Sequence, residues 1–240
     1  MIQPDASNLI KVAGIKTKLI GFYDAPDPTR FEPLVTPKTD AHVCVFAFYK
    51  AWLKGETLRL TADNYGCAGA ANSLFNIQTR SREDFVKFLA DEEGLRASHK
   101  LMNQWLDKRK PYQPQHINIF IGPLNKDMYQ YLKTVTFFVN PDQMSLLMTG
   151  AYYHSSPDDA APVIAQFGSG CMELVSAFID LETPQAIIGA TDIAMRQYLP
   201  PEIMAFTVTR PMFERLCSLD QKSFLYKQFW KRLQKARGLA

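Results

Sequence analysis

The sequence predicts an α/β chain, or an α+β one, in which internally duplicated strand–helix–strand–helix units form a mixed sheet flanked by helices. Three observations carry this expectation. Short β-branched and aromatic runs alternate with longer helix-like runs along most of the chain. Two glycine–cysteine junctions, Gly66-Cys67 and Gly170-Cys171, each stand where a strand-like run passes into a helix-like one. The segments around these junctions also resemble one another in a single ungapped register of 104 residues, the distance from Cys67 to Cys171.

The elements follow in order. Residues 8–18 form a short first helix or arm. Leu19–Tyr23 is a buried strand that ends in the turn Asp24-Ala25-Pro26-Asp27-Pro28. The proline-rich segment to Pro37 is a loop. Thr39 or Asp40 then caps a helix from Ala41 to Lys54, which Gly55 ends. That helix is apolar nearly all round, so it is expected to be buried. The strand Thr57–Thr61, the first junction and a helix to about Phe75 come next. Residues 81–108 are helical and amphipathic, with Ser81 and Asp84 resembling a capping box, and Gly94 and Ser98 divide them into two helices. Lys108–Gln115, with Pro111 and Pro114, marks the internal boundary.

After that boundary, His116–Ile121 and Thr134–Val139 are strands. Asn140-Pro141-Asp142 opens a helix that runs to about Tyr153. There follow a strand (Pro162–Phe167), the second junction, a helix to about Ile179 and a strand (Ala186–Ala190). A short helix (Ile193–Tyr198), a strand (Ile203–Val208) and a helix opened by Pro211 lead to a basic helix from about Gln221 to Arg237. The reading is one domain over residues 1–240, made of two pseudo-repeats, about 15–108 and about 116–217, with a basic C-terminal helix at 218–240. At the 104-residue offset Ala47-Phe48-Tyr49-Lys50 meets Ala151-Tyr152-Tyr153-His154. Separately, Phe22–Asp27 resembles Phe137–Asp142.

Composition narrows the function classes. The chain has 240 residues, 47% hydrophobic and 21% charged, as expected of a soluble globular protein that buries its core without disulfides. A net charge of +3 is too small to argue for nucleic acid, and no RNA-binding motif is present. No leader pattern and no membrane span is readable, so a cytoplasmic protein is expected. Cys44, Cys67, Cys171 and Cys217 are widely scattered and contain no Cys-x-x-Cys, which suits reduced thiols.

Taken in order, Cys44–Gly55, Leu58–Thr61, Gly66-Cys67-Ala68-Gly69-Ala70, Phe137–Met144 and Gly170-Cys171 resemble the family called domain of unknown function 169, or ArCR. The resemblance covers roughly residues 15–217. Its members carry a cysteine in the first buried helix and a Cys-Pro-Gly-Ala-like junction; Ala68 stands here where proline is usual. The family brings no established activity. The resemblance therefore implies an architecture and an interest in Cys44, Cys67 and Cys171, and no reaction.

The candidate site centres on the two junction cysteines. A thiol at a helix N-terminus meets free N–H groups and the positive end of the dipole, which lower its pKa. Such a thiolate ligates a metal or attacks an electrophile. Equally, a small residue is needed where a strand turns tightly into a helix, and free cysteine is among the most buried residue types. Cys44 reads as core unless it meets Cys67 and Cys171 in space. Gly168-Ser169-Gly170 resembles a dinucleotide loop, but Glu173 replaces its third glycine. His42-x-Cys44 has no helical metal spacing. Asn125, Asp127 and Asp192 lie near strand ends, and Arg196 is a candidate partner for a ligand carboxylate or phosphate.

The expected ligand-binding residues are Asn64, Tyr65, Gly66, Cys67, Gly69, Gly170, Cys171 and Arg196, and the expected metal set is Cys44, Cys67 and Cys171. Three functions stand open: binding of a small molecule, anion or cofactor of unknown identity near the paired turns, a thiolate metal or iron–sulfur protein, and a non-catalytic homodimerising domain. No motif decides whether the chain is an enzyme.

Overall fold

The computed structural model describes residues 3–38, 42–165, 170–175 and 180–238. Among these, eight strands build one sheet: β1 (Ile20–Ala25), β2 (Leu34–Val35), β3 (Thr57–Leu60), β4 (Asn118–Pro123), β5 (Leu132–Val139), β6 (Val163–Ile164), β7 (Ala186–Gly189) and β8 (Met204–Thr209). Their order is β2-β3-β4-β1-β5-β8-β7-β6. The fold is thus mixed α/β, as expected.

The sheet has matching halves. β1 and β5 pair antiparallel at its centre. Outward from β1 lie β4, β3 and β2, paired antiparallel, antiparallel and parallel. Outward from β5 lie β8, β7 and β6 in the same senses. Even the parallel steps match in length, since Leu34 pairs with Thr57 and Val163 with Ala186. This correspondence is not the 104-residue register. It sets β3 against β7, so the stretch before β3 that holds Cys44 matches the stretch before β7 that holds Cys171. Cys67, which follows β3, matches the turn after β7. The two glycine–cysteine junctions look alike because each starts a helix at a close approach, not because they follow matching strands. The divide between halves also falls after β4, since β4 pairs with both β1 and β3. The segment Lys108–Gln115 lies within the first half.

Alternation along the strands sends successive side chains to opposite faces. Tyr23, Phe120, Val135, Phe137 and Phe206 pack on one face, under α1 (Ser7–Ala13), α6 (Pro141–Tyr152) and α8 (Arg210–Cys217). Ile20, Phe22, Leu58, Leu60, Ile121 and Phe138 pack on the other, under α2 (Tyr49–Lys54), α3 (Ala68–Phe75) and α7 (Gly170–Val175). A third, small cluster of Val86, Met102 and Leu106 joins α4 (Arg82–Lys87), the π-helical turn Phe88–Glu92 and α5 (His99–Lys108) into a hairpin. Ser81 caps α4 by accepting from the Asp84 amide, and Asn140 and Gln143 form a full capping box on α6.

Several expectations are corrected. The helix expected over Ala41–Lys54 starts late: Val45–Phe48 is a 3-10 turn that leads into α2, and Cys44 is its extended N-cap. Val43 is drawn out of any helix because its N–H bonds to the Gly66 carbonyl at 3.1 Å. The proline-rich loop contains β2. The expected cap at Thr39 or Asp40 lies outside the described residues, as do Gly168, Ser169 and the end of the helix expected to reach Ile179. The basic tail forms the 3-10 turn Phe224–Tyr226 and α9 (Gln228–Ala236). Trp230 anchors α9 to the body, donating from Nε1 to the Val12 carbonyl at 2.7 Å.

Asp24 fastens the segment after α5. It is 1% exposed at the end of β1. Its carboxylate accepts from Tyr112 Oη at 2.7 Å, the Gln115 amide at 2.7 Å and the His116 amide at 2.9 Å. Asp24→Ala removes the buried carboxylate that these donors share, so it should cost about 3 kcal/mol in urea unfolding. A cost below about 1 kcal/mol would show that the segment is held by other contacts.

Candidate functional site

The site begins at the turn into α3. Gly66 has φ +84°, and a Cβ there would stand 2.8 Å from the Val43 carbonyl oxygen. Only glycine meets both conditions without strain. The turn presents Cys67 as the extended N-cap of α3, with its Sγ accepting from the Ala70 amide at 3.4 Å. Facing it, α7 starts at Gly170. A Cβ there would lie 2.6 Å from the Phe46 ring, so α7 sits closer to that ring than any larger residue allows. Cys171 follows, buried, and lines the same cavity as Cys67.

Cys44 joins this pair. Residues 42–44 lie outside any helix or strand, and His42 and Cys44 both face the same space. All three cysteines, with His42, line a cavity of about 290 Å³. Its floor is formed by the starts of α3 and α7. Its opposite wall is the α4–α5 hairpin, through Phe85, Phe88, Leu89, Leu95 and Trp105. Arg80 stacks on Phe88 at 4.7 Å, and Arg109 lies over Trp105 at 5.4 Å. Glu93, Asp192, Ser73, Gln197 and Tyr198 complete the polar lining.

The three thiols are not equivalent. The S–H of Cys171, the Ala70 and Gly69 amides and the nearby His42 push the Cys67 pKa down to about 6, against the opposing effect of burial. The same contact and complete burial push Cys171 well up. Burial first, and then the charges of Cys67 and Asp192, raise Cys44 to about 11. The proton is therefore kept on Cys171 and the charge on Cys67. Asp192 is raised by burial but holds backbone N–H groups of Ala194, Gly170 and Met195. Burial raises Glu173 to about 7, and it accepts from the Ala190 amide at 2.5 Å and the Thr191 hydroxyl at 2.6 Å. Its role is to tie α7 to the turn after β7, away from any dinucleotide.

Of the expected site residues, Cys44, Cys67, Gly69, Gly170 and Cys171 meet in the cavity. Asn64, Tyr65 and Gly66 line an adjoining groove on the outer side of the turn, which shares His42, Cys67 and Arg80 with the cavity. Arg196 is not brought there. Its guanidinium donates to the carbonyls of Pro200 at 3.2 Å, Pro201 at 2.9 Å and Ile203. Asn125 caps the 3-10 turn containing Asp127, and Cys217 packs on the opposite face of the sheet. Among the described residues no group of three or more His, Cys, Asp or Glu side chains is arranged to hold a metal ion. The expected metal set thus shares a cavity without forming a ligand set.

Sequence reading sets His42 aside and misses Ser73, Arg80, Trp105 and Arg109. A helix over residues 41–54 would turn His42 away from Cys44; the helix starts later, and both line the cavity. For the others no local pattern marks a residue whose partners come from a distant segment.

A pH dependence results from the Cys67 shift. Its folded pKa lies below the unfolded value of about 8.5. Its contribution to stability is therefore present above the unfolded pKa and lost as pH falls toward about 6. In a Cys44→Ala/Cys217→Ala background, the stability margin over the further variant Cys67→Ser should shrink between pH 8.5 and 6 in urea unfolding. Cys171→Ala should flatten that slope. A margin independent of pH would show that Cys67 is an ordinary thiol.

No curated protein and no solved structure is detectably similar to this chain. No helix among the described residues is long and apolar enough to cross a membrane. The family model described as uncharacterised ArCR, domain of unknown function 169, matches residues 8–218. That span holds the whole sheet, all four cysteines and every wall of the cavity, and leaves out only the start of the chain and the tail with α9. On this match the chain belongs to the domain of unknown function 169 family.

Proposed function

We propose that the chain binds a small molecule in the cavity between α3, α7 and the α4–α5 hairpin, with the Cys67 thiolate as the group that meets it. One observation carries this reading: cysteines from three distant segments line one cavity, and the surroundings hold the charge on one of them. A purely structural turn has no use for a thiolate beside an open space. The volume of about 290 Å³ lies at the small end of ligand pockets, and the lining is mainly apolar with a few polar groups, as such pockets are. A thiolate in this setting serves as a nucleophile or a soft donor.

The test is alkylation of the folded protein by iodoacetamide at pH 7, mapped by mass spectrometry. Cys67 should be labelled on the order of tenfold faster than free N-acetylcysteine in the same solution, because an ordinary thiol is only a few per cent ionised at that pH. Leu95→Trp, which fills the cavity from the hairpin side, should suppress the labelling. Labelling of Cys67 no faster than that of the free thiol, or only on unfolding, would overturn the proposal.

A further inference from the structure

Two polar groups in the cavity have no role in stabilising the thiolate. Ser73 is 2% exposed, on α3 below Cys67, and its hydroxyl has no hydrogen-bond partner among the described residues. Arg109 is partly buried directly after α5, and its Nε also has no partner among them. Its Nη1 reaches the Met172 thioether at 3.8 Å, and its guanidinium lies 5.4 Å from Trp105 and 5.9 Å from Phe85. None of the ion pairs among the described residues involves Arg109. Burial and the nearby Arg82 push its pKa down to about 10.

A guanidinium taken out of water without an anion is costly, and so is a buried hydroxyl without a partner. Both costs vanish if one ligand group accepts from both. The other charged groups of the lining do not play this part. Asp192 is engaged by backbone amides, and Glu93 interacts with Arg80. Their negative charge, with that of Cys67, also disfavours a dianion such as a phosphate monoester. A single planar carboxylate fits one guanidinium edge and one hydroxyl.

We infer that the cavity takes small carboxylates with an apolar body. The carboxylate accepts from Arg109 Nε and the Ser73 hydroxyl, the body lies against Phe85, Leu89, Leu95 and Trp105, and its carbon chain is left beside Cys67. This rests on the reading that the cavity admits small molecules, and it names their class.

The experiment measures hexanoate and its neutral counterpart hexanamide as protectants of Cys67 against iodoacetamide, with calorimetric titration of hexanoate into the full chain in parallel. Hexanoate should protect saturably and hexanamide should not. Arg109→Gln should weaken hexanoate binding at least about tenfold, the loss of a hydrogen bond to a charged group. Ser73→Ala should weaken it several-fold. Arg109→Lys keeps the charge but not the fork, so intermediate binding is expected; it also serves if Arg109→Gln does not fold. Equal protection by hexanamide, or hexanoate binding unchanged in both Arg109 variants, would overturn the inference while leaving Cys67 reactivity intact. If Cys67 proves unreactive, the proposed function fails by itself, and the calorimetric titration still decides the carboxylate: absence of heat overturns it.

Discussion

α3 and α7 begin over the same face of the sheet and bring the Cys67 and Cys171 thiols to the floor of one cavity. A helix start leaves amides free for a sulfur, and the Ala70 amide donates to Cys67 Sγ at 3.4 Å. The matching halves of the sheet make that possible. β1 and β5 pair at the centre, so the connections that follow β3 and precede β7 converge on one face from opposite directions. Glycine at 66 and at 170 then permits the approach. Once the helix starts meet, the asymmetry between the thiols results. Cys67 has amides and a neighbouring S–H to stabilise its charge, whereas Cys171 is buried and keeps its proton.

The cavity owes its other wall to a separate constraint. The α4–α5 hairpin has only a small core of its own, Val86, Met102 and Leu106. It is held against the body by the residues just past α5: Arg109, then Tyr112, whose amide bonds to the Ser73 carbonyl at 2.8 Å and whose hydroxyl bonds to Asp24. The same short segment therefore closes the first half of the sheet and places Arg109 opposite α3. An element with so few buried contacts is the part of the fold where opening costs least. On the proposed reading, that is the route by which a molecule would reach a space whose floor is packed core.

Much of this was legible in the residues. The central strands were readable because β1, β4, β5 and β8 are rich in β-branched and aromatic residues, as in Ile119-Phe120-Ile121 and Phe206-Thr207-Val208. The capped helix starts at Ser81 and Asn140 were readable because capping chemistry is local. Cys67, Gly69, Gly170 and Cys171 drew attention for the same reason. The features that escaped reading are set by distant partners. β2 is two residues long and exists through pairing with β3. His42 and Cys44 flank Val43, which bonds to Gly66 far along the chain, so they stay outside the helix. The 104-residue register misassigned the halves, since both junctions answer the same packing demand at different places in the topology. Ser73 and Arg109 become notable only when burial shows that their polar atoms lack partners, and no sequence pattern encodes a missing partner.

The charge of one sulfur is the most direct measurement. In the variant Cys44→Ala/Cys217→Ala, which keeps only the central pair, thiolate absorbance in the ultraviolet can be followed across pH. One thiolate should form with a midpoint near 6, and Cys67→Ser should remove it. Absorbance that rises only in the ordinary thiol range, at about 8.5 or above, would contradict a charged Cys67 at the heart of the cavity.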